Sequence, residues 1–174
     1  MRELTLPLSP SDIASLKAYD QVFLSGTLYV GRDQVHQRLF VLLQEGKPIP
    51  IPLQGQTIYY MGPSPAPSGH VIGACGPTTS ARMDPFTPLL LDHGLKGMIG
   101  KGPRSEEVVK AIGRNGAVYL QAYGGCGALY ASTVTSVKIV AFAELGPEAL
   151  LELQVRHFPV IVAIDSNLGS VFAR

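Results

Sequence analysis

The sequence predicts an α/β domain built on a mixed central sheet flanked by helices. Three observations carry this. Runs rich in β-branched and aromatic residues outnumber helical patterns, and the two kinds are interleaved along the chain. Apolar residues make up 46% of the chain and charged ones only 16%, which supports a buried core and argues against disorder. The 174 residues suffice for one well-buried core and are short for two, so residues 1–174 are read as a single domain.

Residues 3–8 alternate, with Leu4, Leu6 and Leu8 against Thr5, and read as a short strand closed by Pro7. Ser9-Pro10-Ser11-Asp12 then starts a helix. Ser9 is the N-cap, Pro10 suits the first helical position, and Asp12 lies at the positive end of the dipole. Ile13 and Leu16 face the core. Residues 21–30 (QVFLSGTLYV) read as a strand with Gly26 as a bulge. Gly31-Arg32-Asp33 ends it, after which Val35, Leu39, Leu42 and Leu43 fall at helical spacing and Gly46 stops the helix. Arg32 and Asp33 thus sit at a strand-to-helix junction, where α/β scaffolds carry functional groups.

Residues 47–52 hold three prolines at alternate positions and are extended or loop-like. Residues 57–61 and 70–74 read as strands separated by a proline-stiffened loop over 62–69. A helix is placed after Asp84, and a buried-type strand over 96–100. Ser105 caps a helix over 106–114, with Glu106 and Glu107 at its positive end. Residues 117–122 form a strand, and Gly124-Gly125-Cys126-Gly127 turns into a helix of small residues. Further strands are read at 137–142, 153–155 and 160–164, with a helical turn at 147–151. Asp165-Ser166-Asn167-Leu168-Gly169 turns into a last strand over 170–172.

Several function classes find no support. The formal net charge is +1 and no Lys/Arg-rich run occurs, so there is no nucleic-acid footprint. The first residues show no apolar signal-peptide core, and no uninterrupted apolar run is long enough to cross a bilayer. Cys75 and Cys126 make neither a disulfide framework nor a CxxC site. A soluble protein of the reducing cytoplasm is the expectation.

Chemistry-bearing residues concentrate in residues 76–102, GPTTSARMDPFTPLLLDHGLKGMIGKG. Arg32, Arg82, Lys101 and Arg104 lie beside glycines or at strand ends instead of on solvated helix faces. An arginine fork pairs with a carboxylate through two parallel hydrogen bonds and a lysine adds a point charge, so convergence of these groups would suit a small dicarboxylate. Taken singly, each is better explained as surface charge; the flanking glycines and turn contexts shift the joint reading toward a site. Thr78, Thr79 and Ser80 either cap the helix after Asp84 or line an anion site, with one hydroxyl free to act on a ligand. A threonine is a poor base without an activating neighbour, and none is identifiable from spacing. His36 falls one helical turn beyond Arg32, whereas His70, His93 and His157 are scattered, so no complete metal set is readable. The glycine-rich loops at 100–102 and 124–127 fit neither a P-loop nor a dinucleotide fingerprint.

GPTTSARMD followed by GMIGKGPRS resembles the signature of class I, iron–sulfur-dependent hydro-lyases. The match is to the C-terminal domain, or separate β subunit, of class I fumarate hydratase and L(+)-tartrate dehydratase. It extends over nearly the whole chain. Leu24-Ser25-Gly26-Thr27-Leu28-Tyr29, leading to Gly31-Arg32-Asp33 and His36, resembles the family's early motif. Tyr123-Gly124-Gly125 and Glu144-Leu145-Gly146-Pro147-Glu148-Ala149 resemble later ones.

The resemblance implies a swivelling β/α/β domain that pairs with a larger α part. That partner would hold a [4Fe–4S] cluster on three cysteines, with the fourth iron acting as a Lewis acid. By motif position, Thr78 would be the base, while Arg32, Arg82 and Lys101 would hold the substrate carboxylates. Asp33, His36 and Thr79 would support them. The implied assembly is an (αβ)2 heterotetramer, active only with its α subunit. Fumarate hydratase is the leading reading and L(+)-tartrate dehydratase its rival. A free-standing dicarboxylate-binding domain is the alternative from a different class.

Overall fold

The computed structural model describes residues 2–172. Along the chain, β1 (Arg2–Leu6) and α1 (Pro10–Ser15) lead into β2 (Gln21–Val30) and α2 (Asp33–Gln44). There follow β3 (Thr57–Tyr59), α3 (Thr87–Asp92), β4 (Gly97–Gly100), α4 (Glu106–Asn115) and β5 (Val118–Gln121). The chain then continues through α5 (Gly127–Thr133), β6 (Val134–Ala141) and β7 (Leu150–Ile164). Short 3₁₀ helices occupy Ser80–Met83 and Ala143–Glu148.

β2, β3, β4 and β5 are successive parallel neighbours, and β7 runs antiparallel to both β5 and β2. The β2–β7 ladder therefore closes the mixed sheet into a ring, which β1 and β6 extend at its margins. Successive strand residues point to opposite faces, so each strand feeds two cores. Val22, Leu24, Tyr59, Ile99, Leu120 and Phe158 belong to one core. Tyr29, Ile58, Tyr60, Met98 and Tyr119 belong to the other, under Val35 and Leu39 of α2, Leu90 and Leu91 of α3, and Val108 and Ile112 of α4. Full burial of one such aliphatic side chain contributes about 1.5–3 kcal/mol.

The local signals act as expected at most element ends. Ser9 Oγ accepts from Asp12 N at 3.0 Å while Asp12 Oδ2 accepts from Ser9 N at 3.2 Å, a reciprocal capping box. Ser105 Oγ accepts from Val108 N, and Gly116 ends α4 in the left-handed conformation. Gly26 stands at the β2–β7 register shift with φ +127°, and a Cβ there would meet Leu6 O at 2.6 Å.

Three expected features differ. Residues 70–74 join no ladder: Ala74 N donates to Ser64 Oγ at 2.8 Å and Ser64 N to Ala74 O at 3.1 Å, so the segment folds back on its own loop. The separate strands at 153–155 and 160–164 are one fifteen-residue strand, β7, whose start also takes in the end of the expected helical turn. His157 (φ 55°) and Pro159 look like breaks, but between Val155 and Ile161 the strand has only β2 beside it. There the Pro159 carbonyl accepts from the Tyr130 hydroxyl at 2.7 Å. The last strand reduces to a single bridge between Ser170 and Ile164.

Candidate functional site

Because β2 to β5 are parallel, their carboxyl ends share one rim, the usual ligand edge of such sheets. Arg32 and Asp33 follow β2, Met61 and Gly62 follow β3, Lys101 and Gly102 follow β4, and Tyr123, Gly124 and Gly125 follow β5. Glu148 reaches the same rim from the other direction, just before β7. The segment 78–80 wedges between the ends of β3 and β4. Thr78 N donates to Tyr60 O at 2.7 Å, Thr79 forms a parallel bridge with Lys101, and Ser80 N donates to Lys101 O at 2.9 Å.

This wedge brings Thr78, Thr79 and Lys101 together. The Thr78 hydroxyl is half-buried and takes no hydrogen bond among the described residues, and the Lys101 ammonium pairs with no carboxylate among them. Lys101 instead passes over Gly124, where a Cβ would lie 4.0 Å from its Cδ. A second group forms at the β2–α2 corner. Arg82 reaches Asp33 Oδ2 through Nε at 3.0 Å and Nη2 at 2.7 Å. Arg32 Nε lies 3.6 Å from Glu148 Oε1, too long for a hydrogen bond, so that N–H stays buried and unpaired. The Arg32 arm lies on Gly62, where a Cβ would meet Nη1 at 3.0 Å and Cδ at 3.1 Å. The end of β3 links the two groups, with Tyr60 under Thr78 and Gly62 under Arg32.

His36 is wholly buried against Tyr60, with ring centroids 5.2 Å apart. Its Nδ1 lies 2.8 Å from Arg32 O, which can only accept, so Nδ1 carries the proton and Nε2 is a bare, unpaired acceptor. Burial lowers its pKa from 6.5 to about 4; the Arg104 charge pushes the same way, and the Arg32 carbonyl and Asp33 oppose it. His36 is thus a neutral support of the Arg32 backbone. Because the unfolded chain binds a proton that the folded one refuses, stability is full above pH 6.5 and falls as pH drops toward about 4. The expected His36-dependent loss between pH 7.5 and pH 5 is about 2 kcal/mol. Urea unfolding at both pH values, compared with His36→Gln, checks it: equal slopes for the two proteins would refute a neutral buried His36.

Two sequence readings are corrected here. Thr78, Thr79 and Ser80 do not cap a helix: Thr79 precedes a 3₁₀ helix without any side-chain cap. Ser80 Oγ lies 2.7 Å from the Tyr119 hydroxyl, which is also 2.7 Å from Gly102 O. The carbonyl only accepts, so Tyr119 donates to Gly102 and Ser80 donates to Tyr119. Arg104 does not join the rim. Its side chain is wholly buried, with Nε 2.7 Å from Asp84 Oδ1 and Nη2 donating to the Tyr60 hydroxyl at 3.2 Å and to Thr87 Oγ1 at 3.1 Å. Its guanidinium also lies over the Tyr60 and Tyr119 rings. Asp84 Oδ2 accepts from Ser105 N at 2.7 Å. This network ties the wedge to the Lys101 turn from below.

Sequence reasoning missed the supports: Glu148 beside Arg32, Gly62 beneath it, and Tyr119 under the wedge. Alternation in β5 puts Tyr119 on the opposite face from Val118 and Leu120, but nothing in spacing pairs Glu148 with Arg32. No group of three or more His, Cys, Asp or Glu side chains is placed to hold a metal among the described residues. Burial pushes the Cys75 thiol up to about 11, and its Sγ donates to Gly73 O, so it does not suit a cluster thiolate. No helix among the described residues is long and apolar enough to cross a membrane.

The chain is 36% identical over 174 residues to the anaerobic class I fumarate hydratase of Escherichia coli K12, covering 99% of this chain and 31% of that protein. It is 38% identical over 151 residues to the mitochondrial fumarate hydratase 1 of Leishmania major, covering 86% of this chain and 28% of that one. The chain thus spans about a third of the length of these fumarate hydratases. A Methanocaldococcus jannaschii protein named as an L(+)-tartrate dehydratase subunit beta is 38% identical over 171 residues, with 95% of this chain and 88% of that protein aligned. The profile of the fumarase C-terminus family matches residues 2–174, and the chain belongs to that family.

Proposed function

We propose that this chain is the β subunit of a heteromeric class I fumarate hydratase, a cytoplasmic (αβ)2 enzyme that interconverts fumarate and L-malate. The observation that carries the reading is the rim, where Arg32, Arg82, Lys101 and the unpaired Thr78 hydroxyl follow or adjoin the carboxyl ends of neighbouring strands. Two guanidinium forks and an ammonium complement the two carboxylates of a four-carbon diacid. In the malate-to-fumarate direction, Thr78 Oγ1 accepts the proton from carbon 3. The electron pair of that C–H bond becomes the new double bond, and the hydroxyl on carbon 2 departs and takes a proton from solvent to leave as water. Arg32, Arg82 and Lys101 stabilise the negative charge that gathers on the neighbouring carboxylate as the proton leaves. Thr78 needs a carboxylate from the α subunit to act as a base. A [4Fe–4S] cluster, carried by that subunit, supplies Lewis-acid polarisation of the substrate when bound. The described residues of this chain do not fit cluster ligands.

A second reading, L(+)-tartrate dehydratase, is favoured by one observation: the Methanocaldococcus relative is aligned over 88% of its length, and its name gives it as a beta subunit. Co-purification with a cluster-bearing partner, anaerobic reconstitution and assay on both substrates tests the proposal. Hydration of fumarate is expected. Turnover of L(+)-tartrate without fumarate hydration would move the assignment to the second reading. A chain that binds malate tightly as a lone monomer, and recruits no partner, would replace both with a dicarboxylate-binding domain.

A further inference from the structure

An arginine offers a carboxylate two edges, one formed by Nε and Nη2 and the other by Nη1 and Nη2. Asp33 Oδ2 occupies the first edge of Arg82, at 3.0 Å from Nε and 2.7 Å from Nη2. Both Nη1 protons and one Nη2 proton remain unclaimed, so the end-on fork is open to a second carboxylate in a plane that Asp33 sets. Arg32 repeats the arrangement more loosely: Glu148 Oε1 faces its Nε at 3.6 Å, and Gly62 leaves space for its arm. In both cases a carboxylate of the chain itself faces the Nε edge.

We propose that Asp33 and Glu148 are positioning residues for substrate recognition, Asp33 holding Arg82 by its Nε edge and Glu148 drawing Arg32 by charge alone across 3.6 Å, so that both end-on forks receive the substrate carboxylates. The inference rests on the hydro-lyase reading above and extends it to residues that do not touch the substrate. A purely local role for Asp33 is available, since it is the first residue of α2 and a negative charge there favours the helix dipole. That role requires no contact with Arg82. It also leaves unexplained why Asp33 Oδ1 and Arg32 Nε stay buried without partners, an arrangement that costs stability and is expected where function constrains a corner.

The test uses the assembled enzyme and the isolated chain. Asp33→Asn keeps the shape and removes the charge. It is expected to raise KM for the dicarboxylate about tenfold, the loss of one charge-assisted contact, with kcat changed less than about threefold. Asp33→Glu restores part of the loss, and Glu148→Gln has a smaller effect of the same kind. Unchanged KM in Asp33→Asn, with only a shift in melting temperature, overturns the proposal in favour of the helix-dipole role. In the isolated chain, the Arg82 Nε–H resonance, assigned by its loss in Arg82→Lys, is expected to resist solvent exchange and to lose that protection in Asp33→Asn. Equal protection in both proteins also overturns the proposal. If the wild-type assembly turns over no dicarboxylate, the functional reading fails by itself, while the resonance comparison still decides whether Asp33 holds Arg82.

Discussion

Replacing Arg104 by methionine is expected to lower the unfolding free energy by about 3–5 kcal/mol, the usual result of removing one partner from a buried ion pair. The guanidinium is fully buried, and its Asp84 partner has only 12% of its side chain exposed, so solvent screens neither group appreciably. Methionine fills much of the volume but leaves the Asp84 carboxylate with the Ser105 N–H as its one remaining donor among the described residues. The Tyr60 and Thr87 hydroxyls also lose a donor. Denaturant unfolding checks the value. Arg104→Met combined with Asp84→Asn is expected to recover part of the loss, because the uncompensated charge is then gone. A single-variant loss below about 1 kcal/mol, the range of exposed pairs, would show that the pair is not desolvated as described.

The same residue marks a limit of reading a site from sequence. Arg104 follows Gly102-Pro103 much as Arg32 follows Gly31 and Lys101 follows Gly100, so a glycine at a strand end could not separate a rim cation from a buried one. What separates them is depth. Arg104 turns under the sheet edge onto the Tyr60 and Tyr119 rings, whereas Lys101 stays over Gly124. The three adjacent hydroxyls divide in a similar way. Ser80 is spent on Tyr119, Thr79 is exposed and bridges Lys101 through its backbone, and Thr78 is half-buried with its hydroxyl unpaired among the described residues. Spacing could flag the cluster but not distribute those roles.

The fold was legible wherever local signals decide it. Ser9 and Ser105 cap their helices, and β2 spans residues 21–30 as its β-branched run predicts. It was not legible where pairing between distant segments decides. The residue run at 70–74 has strand composition but pairs back on its own loop at Ser64. β7 runs through His157 and Pro159 because β2 supports it over that stretch. The β2–β7 ladder that closes the ring joins residues from opposite ends of the chain, and no periodicity announces it. Glu148 reaches Arg32 only through this closure, which is why the pair was invisible in the sequence.

Removing the Thr78 hydroxyl is expected to have the largest effect on turnover. In the assembled enzyme, Thr78→Val should lower kcat by about 10²–10⁴-fold, the contribution of a positioned proton-transfer group, with KM changed by less than about threefold. Valine keeps the branched shape. The Thr78 N–H to Tyr60 O bond and the Thr79–Lys101 bridge are backbone features that survive the substitution. Thr78→Ser retains a hydroxyl at the same place and is expected to recover most of the loss, which separates the chemistry from packing. The proposed carboxylate sites at Arg32, Arg82 and Lys101 are untouched, so substrate is expected still to bind. Turnover within about tenfold of wild type in Thr78→Val, with assembly and cluster content normal, would remove Thr78 from the base role and leave the proton to a group on the partner. A fall in kcat matched by an equal rise in KM would instead show that Thr78 shapes the ground-state pocket, because a group acting only in the transition state changes kcat alone.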